Sequence, residues 1–157
     1  MVDLTHIDGD GNARMVDVAG REVTTRTATV VGKVILSSEV VKALRDNTVP
    51  KGDVLAAARI AGIMGSKKTS ELIPLCHPIA IHGVNVDLKV MDDGVAIFAT
   101  VKTSDRTGVE MEAFTAVSVA GLTVIDMIKS MDPMASLTEV CLIEKDGGKN
   151  GHWSRAN

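Results

Sequence analysis

A chain of 157 residues with a formal net charge of -3 is expected to fold as one domain. The acidic balance, the absence of Tyr and an aromatic content of 2% argue against a protein that binds nucleic acid through phosphate neutralisation or base stacking. The sequence shows no secretory signal, no segment long enough to span a bilayer and no disulfide framework. We therefore expect a cytoplasmic protein with neither nucleic acid nor membrane as a partner.

The first half of the chain predicts one strand followed by two helices. Residues 1–15 are polar and glycine-rich and are expected to form an N-terminal arm. Residues 24–36 are rich in Thr and Val and predict a long strand, with a bulge at Gly32. Helices are predicted for residues 38–45 and 54–64, because each segment follows a Ser or Asp that can cap a first turn.

The second half predicts a hairpin, a long helix and a last strand. Apolar residues alternate over 79–90 and again over 95–101, on either side of an Asp-Asp-Gly turn. A helix is predicted for about 109–131 and a strand for 137–143. This order is the split βαβ arrangement, so we expect an α+β, ferredoxin-like fold with an antiparallel sheet and helices on one face. No linker divides residues 16–157, which are expected to form a single catalytic domain.

The predicted long helix carries charged residues at both ends. Glu112 at its start suits the helix dipole, and Asp126 with Lys129 forms an i,i+3 pair, so these residues have an ordinary structural explanation. Asp126, however, lies in the apolar run 124–128, where a carboxylate needs a partner or a chemical role. Lys129 is the nearest candidate for that partner.

The spacing of Glu112 and Asp126 bears on quaternary structure. Fourteen residues of regular helix separate them by about 21 Å along the axis. One small substrate bound to one subunit therefore cannot contact both. If both ends of the helix serve one site, that site is assembled across a subunit interface, with Glu112 of one chain near Asp126 of another.

Two loops contain side chains suited to an anion or a metal. Cys76 and His77 lie between two prolines, so His77 sits on a stiff loop where it could donate a hydrogen bond to an anion. With His82 these residues offer metal-ligating atoms, but the paired spacing typical of zinc sites is absent. The segment 147–151 could hold a phosphate through exposed amides and Lys149.

Further basic residues are spread over several segments of the chain. Scattered lysines are most often solvated surface residues, and the sequence alone does not bring these together. The residues concerned are Arg26, Lys51, Lys67, Lys68, Lys129, Lys145 and Lys149.

Seven short segments, spread over nearly the whole chain, carry a family resemblance. They are Leu4-Thr5-His6, Met15-Val16-Asp17-Val18, Lys51-Gly52-Asp53-Val54, Ala58-Arg59-Ile60-Ala61-Gly62-Ile63, Leu72-Ile73-Pro74-Leu75-Cys76-His77-Pro78, Thr107-Gly108-Val109-Glu110-Met111-Glu112-Ala113 and Gly147-Gly148-Lys149. In this order they resemble the cyclic pyranopterin monophosphate synthase family. The combination of the fifth and sixth segments is the most specific part of the match.

The resemblance implies a ferredoxin-like lyase of molybdenum cofactor biosynthesis. Its substrate would be 3',8-cyclo-7,8-dihydroguanosine 5'-triphosphate, and its products cyclic pyranopterin monophosphate and pyrophosphate. The family also implies a homohexamer, arranged as a trimer of dimers, with the active site at a dimer interface. No metal or other cofactor is expected.

The resemblance also implies roles for individual residues. Asp126 corresponds to the family's catalytic aspartate and Lys129 to the lysine one turn later, a pair suited to acid/base catalysis. Lys51 is a further catalytic lysine, and the division of roles between the two lysines does not follow from sequence. The implied substrate-binding residues are Leu75, Cys76, His77, Met111, Glu112, Arg26, Lys67 and Lys145, to which the 147–151 loop adds Lys149.

Two other functions remain open at this stage. A non-catalytic ferredoxin-like module could sense a nucleotide or bind a partner through its sheet, although Asp126 and Lys129 favour an enzyme. A metal-dependent hydrolase would use Cys76, His77 and His82 as ligands and would contain zinc.

Overall fold

The computed structural model describes residues 6–156. Residues 1–5 and 157 lie outside the described residues, and with them Leu4, Thr5 and the start of the predicted arm. The described chain forms five strands and four helices, in the order β1 (Thr24–Ile35), α1 (Ser38–Arg45), α2 (Val54–Ser66), α3 (Thr69–Leu72), β2 (Ile81–Met91), β3 (Gly94–Asp105), α4 (Glu110–Ile128), β4 (Ser136–Asp146) and β5 (Trp153–Ser154).

The strands form one antiparallel sheet with the order β2-β3-β1-β4-β5. β1 lies at the centre because α1 and α2 lead the chain to the edge strand β2, while α4 leads it from β3 across to β4. This is the split βαβ connectivity, with the hairpin β2–β3 on one side of β1. The predicted ferredoxin-like α+β fold is confirmed.

The core lies between one face of the sheet and the helices. Alternate residues of β1, among them Val30 and Val34, are fully buried. α4 contacts β1, β3 and β4, and α2 contacts both α4 and β2. The buried side chains are mainly Val, Ile and Ala, as the low aromatic content predicts.

α4 is the central helix of this layer. By length and composition alone it would be long enough to cross a membrane. Val117, Ala120 and Val124, however, are fully buried within the protein core. Its apolar composition is therefore explained by packing against the sheet and α2.

The capping predictions are confirmed, with shifts at the helix ends. Ser37 accepts a hydrogen bond from the backbone N–H of Val40, and Asp53 accepts one from that of Ala56 at 3.0 Å. α2 continues two residues beyond the predicted end, and α4 is shorter at its C-terminal end than predicted. The short elements α3 and β5 were not predicted.

The bulge predicted at Gly32 belongs to the partner strand. Between Val31 and Lys33, two steps along β1 correspond to three along β4. The extra residue is in β4, where Glu139 has a φ of 55°. Gly32 has a different role, because a Cβ at this position would lie 2.6 Å from Cγ1 of Val117 in α4.

A buried carboxylate holds the C-terminal end of α4 in position. Asp132 is 8% exposed and accepts hydrogen bonds from the backbone N–H groups of Ser37, at 2.7 Å, and Met134, at 3.0 Å. The segment that follows Lys129 is therefore tied to the start of α1. This contact fixes one end of the long helix relative to the sheet.

Gly94→Ala is expected to destabilise the fold. Gly94 closes the β2–β3 turn with a φ of 151°, and a Cβ there would overlap the carbonyl oxygen of Val34. We expect the substitution to lower the free energy of unfolding by about 2 kcal/mol or more, as measured by urea denaturation. Gly20→Ala is the control, because a Cβ at Gly20 meets nothing within 4 Å. Equal stability of the two variants would contradict the turn geometry.

Candidate active site

Three neighbouring cavities surround the first turn of α4. The basic cavity, of about 700 Å³, lies between β1, the start of α4 and the loop after β4. The central cavity, of about 300 Å³, contains the Leu75–His77 loop, and it shares Arg21, Gly108 and Glu110 with the basic cavity. A small cavity of about 160 Å³ shares His77 and Glu112 with the central one.

The basic cavity brings together three of the predicted substrate-binding cations. Arg26, Lys145 and Lys149 all line it, although they lie far apart in the sequence. Pairing of β4 with β1 places Lys145 opposite Ala28, and its Nζ lies 3.0 Å from Oε1 of Glu110 at the start of α4. With Arg21, four cations line the cavity against three carboxylates, so its formal charge is positive and suits an anionic ligand.

The loop after β4 lies directly against β1. Gly147 and Gly148 have φ values of 89° and 74°, a backbone conformation that favours glycine. A Cβ would overlap the carbonyl oxygen of Thr25 at the first position and the guanidinium of Arg26 at the second. Arg26 is itself held in place, because its Nε donates to the carbonyl oxygen of Asp105 at 3.1 Å. The two glycines thus let the loop that carries Lys149 approach this arginine closely.

The central cavity contains the predicted ring-binding residues. The residues Leu75, Cys76, His77, Met111 and Glu112 all line it. Lys67 lines the small cavity beside His77 and Glu112. All nine predicted substrate-binding residues therefore meet around the same end of α4.

His77 differs from expectation in one respect. Its Nε2 lies 2.6 Å from the carbonyl oxygen of Val16, so this nitrogen is a donor to the main chain. Nδ1 makes no hydrogen bond with residues 6–156, and it can donate to an anion only when the ring is protonated. As a neutral ring, His77 would offer a ligand an acceptor.

Glu112 is a buried carboxyl group at the start of α4. It is 4% exposed, and burial is the main cause that raises its pKa to about 7, with a smaller contribution from the charge of Glu110. Burial, with the charge of Glu112, also raises the pKa of the Cys76 thiol. Glu112 can therefore exchange a proton near neutral pH, whereas Cys76 remains a thiol and is a poor nucleophile.

The three predicted catalytic residues lie together at the other end of α4. Lys129 Nζ lies 2.7 Å from Oδ1 of Asp126, and Lys51 Nζ lies 3.3 Å from Oδ2 and 2.7 Å from the main-chain oxygen of the same residue. Hydrogen bonds from Lys129 and then Lys51 lower the pKa of Asp126. The Asp126 side chain is 58% exposed, so the apolar neighbours in sequence do not bury it, contrary to expectation.

The two groups of site residues remain apart within one chain. Glu112 and Asp126 are separated by about 21 Å along α4 at the standard helical rise. None of the three cavities includes Lys51, Asp126 or Lys129.

Comparison with known proteins identifies the chain's relatives. The cyclic pyranopterin monophosphate synthase of Streptomyces avermitilis is 64% identical over 153 residues, covering 98% of this chain and 90% of the relative. The protein of the same name from Corynebacterium glutamicum is 54% identical over 154 residues, covering 98% of this chain and 99% of its own. Residues 15–148 match the family model described as the MoaC family. This chain belongs to the MoaC family. The prediction of an enzyme of the cyclic pyranopterin monophosphate synthase class, acting in molybdenum cofactor biosynthesis, is confirmed.

Family membership leaves the zinc-hydrolase alternative without support. His82 is exposed and its Nδ1 accepts a hydrogen bond from the backbone of Ser104 at 3.3 Å, away from the cavity that contains Cys76 and His77. Within residues 6–156, no group of three or more His, Cys, Asp or Glu side chains is arranged to hold a metal ion.

Sequence reasoning missed two residues that line both larger cavities. Glu110 lies within the matching segment 107–113, but neither its place in both cavities nor its pairing with Lys145 was predicted. Arg21 lies outside every matching segment, in a polar stretch that resembles an ordinary loop. Only the three-dimensional arrangement brings Arg21 to the site.

The raised pKa of Glu112 predicts a pH-dependent stability. Between pH 4.5 and about 7 the unfolded carboxyl ionises while the folded one keeps its proton, so the free energy of unfolding falls as pH rises. We expect Glu112→Gln to gain stability relative to wild type over this window, by up to about 3 kcal/mol. Urea denaturation at several pH values measures the difference. The exposed Glu71→Gln is the control, and a pH-independent difference between Glu112→Gln and wild type would contradict the assignment.

Proposed function

We propose that the enzyme converts 3',8-cyclo-7,8-dihydroguanosine 5'-triphosphate into cyclic pyranopterin monophosphate and pyrophosphate. The observation that carries this proposal is the meeting of nine substrate-binding candidates around one end of α4, with a basic cavity beside a cavity whose lining includes the apolar residues Leu75 and Met111. A nucleotide needs a basic surface for its phosphates and a partly apolar surface for its ring system. The name of its relatives, cyclic pyranopterin monophosphate synthase, gives the same product.

The basic cavity supports binding of the triphosphate. Arg26, Lys145 and Lys149 line it, and the backbone of Gly147 and Gly148 approaches from one side. Cations fixed before the reaction stabilise the charge that develops on a leaving pyrophosphate more effectively than mobile water does. Lys145 is paired with Glu110 here, so binding of the phosphates would exchange one anionic partner for another.

The cluster formed by Asp126, Lys129 and Lys51 supports acid/base catalysis. Two ammonium groups contact one carboxylate, and rearrangement of the purine requires both a proton donor and an acceptor. In the single chain these three side chains are exposed to water. Enclosure of an ammonium group would disfavour its charged form and make it a better proton donor. A substrate that covers Lys129 and Lys51 would provide that enclosure.

A composite site at a subunit interface joins the two groups. Several large apolar side chains are exposed on the helices, as expected of a surface that contacts another subunit. They include Ile60 and Met64 of α2, Leu72 of α3 and Leu122 of α4, each more than half exposed. We propose a homohexamer, built as a trimer of dimers, in which Glu112 of one chain approaches Asp126 of its partner.

The domain boundaries and location belong to the same proposal. We propose that residues 16–157 form the single catalytic domain of a cytoplasmic enzyme. The N-terminal segment is not independent of that domain, because His6 lines the central cavity together with Val16 and Val18. The segment 6–14 is itself folded back, with an isolated bridge between Ile7 and Ala13.

Lys129→Ala is expected to lower turnover by at least about 100-fold, the usual scale for a removed acid/base group. Thermal stability should stay close to that of wild type, because the Lys129 side chain is 61% exposed. Release of pyrophosphate and of the fluorescent pterin from the cyclised GTP intermediate measures the reaction. Lys42→Ala is the matched control, since Lys42 forms an exposed pair with Asp46 one turn away on α1. Full activity of Lys129→Ala would remove it from the mechanism, and inactivity of wild type would favour a binding module.

Complementation between variants tests the composite site. Lys129→Ala and Glu112→Gln are each expected to be inactive alone, because each damages every site of its own dimer. In a mixed dimer one of the two sites receives both residues intact. Co-expression at equal amounts should therefore restore about a quarter of wild-type activity per subunit, from random pairing in a two-fold dimer. No recovery in purified mixed dimers would contradict a shared site.

A further inference from the structure

Arg21 lies where the basic and central cavities meet. It lines both cavities, together with Gly108 and Glu110. Of these three shared residues it is the only cation. No role follows for it from family resemblance or from the sequence pattern.

The backbone of Arg21 is fixed on both sides. Its N–H donates to the carbonyl oxygen of Val18 at 3.0 Å, and its own carbonyl oxygen accepts from Nε of Arg106 at 3.0 Å. The second bond ties the segment before β1 to the end of β3. Arg21 is therefore held at a defined position even though it lies outside regular secondary structure.

The guanidinium of Arg21 is available to a ligand. Within residues 6–156 it forms no hydrogen bond and no ion pair, although three carboxylates, those of Glu22, Glu110 and Asp146, line the basic cavity. One of them, Glu110, is engaged with Lys145 at 3.0 Å. Arg26, by contrast, donates from Nε and Nη2 to main-chain oxygens of residues 105 and 106. Arg21 thus has a full set of donors for bidentate recognition of a phosphate.

The position of Arg21 specifies which phosphate it can reach. A nucleotide with its ring system in the central cavity and its terminal phosphates in the basic cavity must pass the point that the two share. The atoms at that point are those that join the nucleoside to the phosphate chain. In the proposed reaction these are the α-phosphate and its bridging oxygen.

We propose that Arg21 is a substrate-binding residue that contacts the α-phosphate and stabilises it as pyrophosphate leaves. In this step a hydroxyl oxygen of the rearranged substrate forms a bond to the α-phosphorus, and the bond from phosphorus to the bridging oxygen breaks. Pyrophosphate departs with the electron pair, and the hydroxyl proton passes to a base. The guanidinium offsets the charge on the oxygens around phosphorus. This inference rests on the proposed function.

Steady-state kinetics of three variants test the inference. Arg21→Ala should lower kcat on the order of 100-fold, the scale for removal of one transition-state donor, with a smaller rise in KM. Arg21→Lys should recover part of kcat, because lysine keeps the positive charge but cannot form bidentate hydrogen bonds to a phosphate. Arg14→Ala is the matched control, since Arg14 is exposed nearby in the chain and lines none of the three cavities.

The outcomes separate this inference from the proposed function. Wild-type activity with a large kcat loss in Arg21→Ala, an unchanged melting temperature and near-normal Arg14→Ala supports the role. Unchanged kcat and KM in Arg21→Ala overturn it, and so does an equal loss in Arg14→Ala. If Arg21→Ala melts at a lower temperature, the comparison rests on Arg21→Lys at wild-type stability, whose kcat must then fall. A wild-type protein that releases no pyrophosphate overturns the proposed function and this inference together.

Discussion

Close packing of α4 against α2 and the sheet is the constraint on which the rest of the structure depends. Gly62 and Gly65 bring the two helices together, since a Cβ at either position would lie within 3 Å of Ala116 or Val119. α4 is thereby buried along much of its length, and this close packing makes it rigid. Its two ends consequently present chemical groups at a fixed separation, and neither end can move toward the other without disrupting the core.

Two carboxylates on this one helix acquire opposite properties from their surroundings. Glu112 is enclosed by protein, so its pKa rises to about 7, while contacts with Lys129 and Lys51 lower the pKa of Asp126. One group can hold a proton near neutral pH and the other stays ionised. Sequence neighbours give the reverse expectation, because Asp126 lies in an apolar run and Glu112 in a helix start that is commonly solvated. Fourteen residues of helix place the two carboxylates on nearly the same side of α4, so the difference arises from what packs beside each end of the helix.

Features that depend on a short stretch of sequence, such as helix caps and i,i+3 pairs, were predicted correctly. Most contacts between distant segments were not predicted. The capping of α2 by Asp53 and the pairing of Asp126 with Lys129 follow from spacing within one turn or two, and both are present. The meeting of Arg26 with Lys145 depends on the register of β4 against β1, which no short window contains. The position of Arg21 is even harder to predict from sequence, because it depends on a hydrogen bond from Arg106, far along the chain.

The same rigidity would link catalysis to assembly in the proposed composite site. A flexible protein could close over a substrate to join groups about 21 Å apart, but a buried straight helix cannot shorten. Under the proposed mechanism the missing half of each site must come from a second subunit, and two-fold symmetry supplies it twice in every dimer. The apolar side chains exposed on α2 and α4 would then serve two purposes, since covering them both stabilises the assembly and excludes water from the ammonium groups of Lys51 and Lys129. The subunit interface is, on this argument, part of the catalytic apparatus, and loss of assembly would abolish activity without unfolding the chain.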